Sequence, residues 1–170
     1  IGVKKDYIKA KEYYEQLAEQ NNQVAILKIA YFYENGYGVE QSYYKAKELY
    51  EQLAEQNNHD AILKLACFYE NGFGVEKDFT KAKELYEKIA FQNNPEGLYK
   101  LGEFYYDGNG VKKDIKSAIR YFKYAAEQHN SKALFKLGVI WSEGDYEEEN
   151  HMNKKDEKRE EDKNEEDKNE

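Results

Sequence analysis

The side chains that could perform chemistry are few, and their spacing argues against most reactions. His59, His129 and His151 are the only histidines, and none stands at metal-ligand spacing from another or from Cys67, the sole cysteine. A structural zinc needs four convergent ligands, so no metal is expected. Only five Ser and Thr residues occur in 170, and none forms a nucleophile motif with a histidine. A single cysteine closes no intramolecular disulfide, which excludes a stapled secreted scaffold. Cys67 reads as a small thiol at the edge of a core. The run Gly72-Phe73-Gly74-Val75 echoes a dinucleotide loop. A phosphate cradle follows a strand and carries a third glycine, whereas this run follows a helical pattern and recurs, so it is a turn. Neither catalysis nor a cofactor is expected.

What remains is a column of cations. Lys28, Lys64, Lys100 and Lys136 follow one another at intervals of 36 residues. Val24, Lys28 and Tyr31 correspond to Asp60, Lys64 and Cys67 in the next copy, then to Glu96, Lys100 and Glu103, then to Lys132, Lys136 and Val139. Steps of four and three place each set on one helical stripe, opposite much of the apolar one. Their chemistry changes from copy to copy while the apolar positions hold. These twelve residues are therefore the candidate partner-binding surface. The lysine column reads in two ways. It is a row of cations for an acidic peptide or a terminal carboxylate, or a solvated face neutralised by neighbouring Glu and Asp.

The elements that must carry this stripe are repeated. Ala10–Asn22 recurs as Ala46–Asn58 with one change, Tyr13 to Leu49, and looser copies start at Ala82 and Ala118. Glycine pairs keep the same interval at Gly36/Gly38, Gly72/Gly74 and Gly108/Gly110, each followed by valine. Every period holds two helical patterns. In the first, Ile62, Leu65, Ala66 and Tyr69 make one apolar face. The second starts after Asp6, Ser42, Asp78 or Asp114, whose side chains suit an N-cap. It ends at Asn21, Asn57, Asn93 or His129, residue types that tolerate left-handed backbone. The single proline, Pro95, falls near a helix start, where its missing N–H costs little. Eight alternating helices are expected. One pair buries too little alone, so stacked neighbours supply the core. Tyr14, Tyr50, Tyr86, Phe122 and Tyr33, Tyr69, Tyr105, Trp141 fill that core. The expected fold is all-α, an α/α superhelix of about four 36-residue helix pairs over residues 1–144.

Charge divides the chain at the same place. The formal net charge is −8, and residues 143–170 hold fourteen acidic against six basic side chains, the whole excess. Residues 145–170 are expected to be an acidic low-complexity tail without a fold of their own. The neutral body offers no basic footprint for phosphates, so nucleic acid is not an expected partner. No stretch approaches the roughly 18 apolar residues of a membrane helix, and no membrane partner is expected. No Asn-x-Ser/Thr sequon occurs, a weak pointer to the cytoplasm.

Leu101-Gly102-x-x-Tyr105 and Ala46-x-x-x-Tyr50 are anchors of a tetratricopeptide-type repeat. The longer period and the run Tyr69-Glu-Asn-Gly72-Phe-Gly74-Val75-Glu-Lys-Asp78, then Lys81-Ala82-x-x-x-Tyr86-x-x-Ile89-Ala90, resemble the Sel-one-like repeat family instead. Departures are Ile89 for an alanine, Asn or His for a glycine after the second helix, and Ser42 for an aspartate cap. The resemblance implies a scaffold or adaptor that assembles protein complexes, with the first helix of each pair lining a concave groove. Cysteine-rich relatives have been linked to β-lactam chemistry, but their paired cysteines are missing here, so no such activity carries over. The expected function is a protein or peptide partner bound in that groove. The alternative is a regulatory repeat segment of a larger enzyme or enzyme activator. Residues 1–3 look like the end of a loop, and the last apolar helix keeps Leu134, Leu137 and Trp141. Both ends are therefore expected to stack on further repeats or on another copy.

Overall fold

The computed structural model describes residues 5–144, and the acidic segment 145–170 lies outside the described residues. Eight α-helices make up the described part: α1 (Tyr7–Ala18), α2 (Gln23–Asn35), α3 (Tyr43–Glu55), α4 (His59–Asn71), α5 (Phe79–Ala90), α6 (Pro95–Asp107), α7 (Ile115–Glu127) and α8 (Ser131–Glu143). The even-numbered helices are the first of each pair, here A, and the odd-numbered ones the second, B. The strong contacts run only between helices adjacent in sequence, the pattern of a solenoid. The expected all-α superhelix is the one observed.

Capping residues set the boundaries. Asp6, Ser42, Asp78 and Asp114 each accept a hydrogen bond from the third backbone N–H of a B helix, at 2.9 to 3.3 Å. The doublets at the other junctions divide their work. Asn21, Asn57, Asn93 and His129 take positive φ of 57 to 62° and end the B helices. The next residue, Asn22, Asn58, Asn94 or Asn130, is the N-cap of the A helix that follows. That second role was not foreseen from the sequence. Pro95 sits in the first turn of α6. Each A helix closes on a left-handed glycine, and the second glycine of each loop presses on the preceding B helix. A Cβ on Gly74, at φ 66°, would lie 2.8 Å from the carbonyl carbon of Tyr43, so larger residues are excluded twice over. Loop aromatics follow the same contact. Tyr37 stacks on Tyr7 at 4.7 Å and Phe73 on Tyr43 at 5.0 Å. Such pairs add about 0.5–1.5 kcal/mol beyond area burial.

The core runs through the pairs as one cluster. Ala46, Ala82 and Ala118 are fully buried beside Tyr50, Tyr86 and Phe122, whose rings meet Phe68, Phe104 and Tyr99 at 5.4 to 5.7 Å. Small residues on the A helices admit them. At the two ends the same positions are less covered. α1 has no buried residue, and Trp141 remains 44% exposed. No helix among the described residues is long and apolar enough to cross a membrane.

Candidate functional site

Because A helices recur every 36 residues with the same capping and the same core face, their other faces fall into register. A groove of about 560 Å³ crosses α2, α4 and α6 and reaches the start of α8. Eight candidates from the sequence meet in it: Lys28, Tyr31, Asp60, Lys64, Cys67, Glu96, Lys100 and Lys132. Four do not line it. Val24 projects from the first turn of α2 and is 65% exposed. Glu103 accepts the Tyr99 hydroxyl at 2.7 Å and pairs with Lys100 at 3.0 Å. Lys136 lies over the Tyr106 ring at 4.9 Å, and Val139 is half-buried on α8. Leu27 and Leu63, which the sequence did not single out, add an apolar strip. Tyr50 and Tyr86, assigned to the core, also reach the groove with their edges.

The lysine column is not a bare row of cations. Lys64 pairs with Glu34 at 2.8 Å, and Lys100 with Glu70 at 3.9 Å. Each partner stands thirty residues back, on the preceding A helix. The same two carboxylates accept buried phenols, Tyr50 onto Glu34 at 2.5 Å and Tyr86 onto Glu70 at 2.8 Å. Burial, joined by the hydrogen bond and charge of the adjacent carboxylate, pushes both phenols far above their ordinary range, so they remain donors. In the next pair the whole set changes together. Tyr106 replaces the glutamate, Phe122 the tyrosine, and Lys136 rests on the new ring. Lys132 is also paired, with Glu96 at 2.7 Å. Lys28 is exposed and meets no carboxylate among the described residues.

Charge therefore alternates along the groove and cancels over most of its length. For Lys100 the desolvation that lowers its pKa is outweighed by Glu103 and Glu70, and the net displacement is upward. Cys67 is half-buried, and burial followed by the Glu70 charge raises its thiol above the ordinary value. A raised thiol is protonated near neutral pH and is a poor nucleophile. Among the described residues no cluster of His, Cys, Asp and Glu is placed to hold a metal ion. What the groove offers is an apolar strip, one exposed tyrosine and a lone cation at the α2 end. These suit the binding of an extended chain.

Comparison with known proteins agrees with this architecture. The chain is 30% identical to c5321, a protective antigen of uropathogenic Escherichia coli strains displaying an SLR fold. That match has a TM-score of 0.72 and covers 84% of this chain and 30% of that one. It is 32% identical to a Sel1 repeat protein from Oxalobacter formigenes, at a TM-score of 0.70, over 80% of this chain and 58% of that one. Against Helicobacter pylori cysteine rich protein B the identity is 31% and the TM-score 0.58, over 78% of this chain and 96% of the other. The chain thus spans less than two thirds of the first two. No curated protein matches it. The family model of the Sel1 repeat matches residues 1–22, 23–58, 59–94 and 95–130, and the chain belongs to the Sel1 repeat family.

Proposed function

We propose that this chain is a non-catalytic scaffold that holds an extended segment of a partner protein in the groove across α2, α4 and α6. Sel1 repeat proteins are generally protein-interaction scaffolds. The observation that carries the finer reading is the groove itself. Residues that vary between copies converge there around Leu27 and Leu63, beside a core that repeats with little change. The partner's chemistry follows from the walls. Apolar side chains cover the leucine strip, and a carboxylate meets Lys28, the cation without a carboxylate of its own. The remaining lysines are already paired, so a long acidic stretch gains little from them. A body with balanced charge gives nucleic acid no electrostatic foothold. End-to-end contact between copies also belongs to this reading.

Reversing Lys64 and Lys100 is a poor test, because each new carboxylate would face Glu34 or Glu70 and disturb the buried tyrosines. Lys28→Glu and Tyr31→Ser change exposed side chains instead. A photo-crosslinking residue at position 31 should capture the partner, while one at Tyr44, 60% exposed on α3, should not. The double substitution should weaken binding about tenfold, about 1.4 kcal/mol, with the helical content unchanged. Equal capture at positions 31 and 44 would reject the groove.

A further inference from the structure

One register at the end of the B helices holds Glu19, Glu55 and Glu127 in three copies and Phe91 in the fourth. The Phe91 side chain is 94% exposed, the barest large apolar residue among those described. The valley beside it also differs from its neighbour. Between α3 and α5, Lys88 reaches across and donates to the Ala54 carbonyl at 3.5 Å. Between α5 and α7 the equivalent residue is Tyr124, 47% exposed, and a cavity of about 440 Å³ stays open above Leu98 and Leu101 of α6. Phe91 and Tyr124 stand on its two walls. Walls and floor all belong to α5, α6 and α7, inside the array.

The walls of this valley also carry unlike charges. At one pair of registers α1 and α3 have Glu15 and Glu48, and α3 and α5 have Glu51 and Glu84, an acid on each side. The α5–α7 valley has Glu87 and Arg120 there instead. Glu87 lines the cavity and pairs with Lys83 at 2.7 Å along its own helix. The Arg120 guanidinium lies 5.6 Å from the centre of the Tyr121 ring, which lines the opposite wall.

A knob beside a cavity, with opposite charges on opposite walls, is complementary to itself. We propose that the α5–α7 valley is a two-fold interface with a second copy of this chain. An axis along the valley lays α5 of each copy over α7 of the other. Phe91 of each then enters the other's valley beside Tyr124, and Glu87 of each opposes Arg120 of the other. The same arrangement at the other two valleys would set carboxylate against carboxylate. The cavity shares no residue with the groove across α2, α4 and α6, so both grooves of the dimer stay open. Two aromatic side chains of about 150–250 Å² each fall short of the roughly 800 Å² per partner of a standard interface. The dimer is therefore weak and concentration-dependent.

Sedimentation velocity of the 170-residue chain from about 1 µM to about 1 mM tests this. The wild type should pass from monomer to dimer and stop there. Phe91→Glu restores the residue of the other copies at an exposed position and should raise the dissociation constant at least about tenfold. Glu87→Arg and Arg120→Glu should each weaken the dimer by placing like charges opposite each other, with circular dichroism confirming helix content in all three variants. Mixed in equal amounts, those two charge variants should dimerise again, because each wall then meets its opposite. A wild type that stays monomeric throughout overturns the proposal and leaves the valley to a partner of another sequence. A Phe91→Glu variant that associates as well as the wild type overturns it in favour of contacts elsewhere, such as the ends of the array. A mixture no tighter than either charge variant alone overturns the two-fold pairing of α5 with α7.

Discussion

At Glu34 one carboxylate holds two neighbours, the buried Tyr50 hydroxyl and the Lys64 ammonium. Hydrogen bonds to charged groups contribute about 1.5–3 kcal/mol when buried, and Glu34 is only partly so. Tyr50→Phe should therefore cost about 1–2 kcal/mol in urea unfolding, well short of the 3–5 kcal/mol expected when a whole buried ring is lost. Cys67 offers a second check at this scale. With its thiol raised by burial and Glu70, it should react with a disulfide reagent at neutral pH more slowly than in the urea-unfolded chain. The rate should climb only as pH passes above the ordinary thiol value. The lysine column was legible in the sequence, but its carboxylates were not. A helix pair turns the chain through a full cycle before Lys64 meets Glu34, and one-dimensional spacing carries no phase for that encounter. The signal existed in the coordinated change of Glu70, Tyr86 and Lys100 to Tyr106, Phe122 and Lys136.

Element by element, the helices were readable because their ends are written in side chains that satisfy orphan backbone groups. Asp78 and the left-handed asparagines marked the B helices correctly. The second asparagine of each doublet escaped because its role is fixed only by the positive φ of the residue before it. Glycine at one register then separates α6 from α8. Gly102→Ala should destabilise by about 1–3 kcal/mol, since its Cβ meets the Phe122 ring and overpacks α6 against α7. Gly138→Ala should instead stabilise by about 1 kcal/mol through helix propensity alone, in the open space of α8. Chemical denaturation of the two variants reads the opposite signs directly.

Across the whole molecule, the 36-residue interval fixed the architecture, and eight of the twelve candidate residues line one groove. Leu27 and Leu63 were missed because an apolar residue on a helix reads as core until a neighbouring helix fails to cover it. Stability should grade along the array. α1, with no buried residue, and α8, with few, should exchange amide hydrogens fastest, and α4 to α6 slowest, in a mass-spectrometric time course. A uniform profile would contradict the neighbour-by-neighbour packing. That packing also has a mechanical consequence. Held by its two ends and stretched, such a chain gives way one pair at a time. Each yielding pair releases 36 residues, about 120–130 Å of contour length. The array then lengthens in near-equal steps and limits the tension on whatever it tethers.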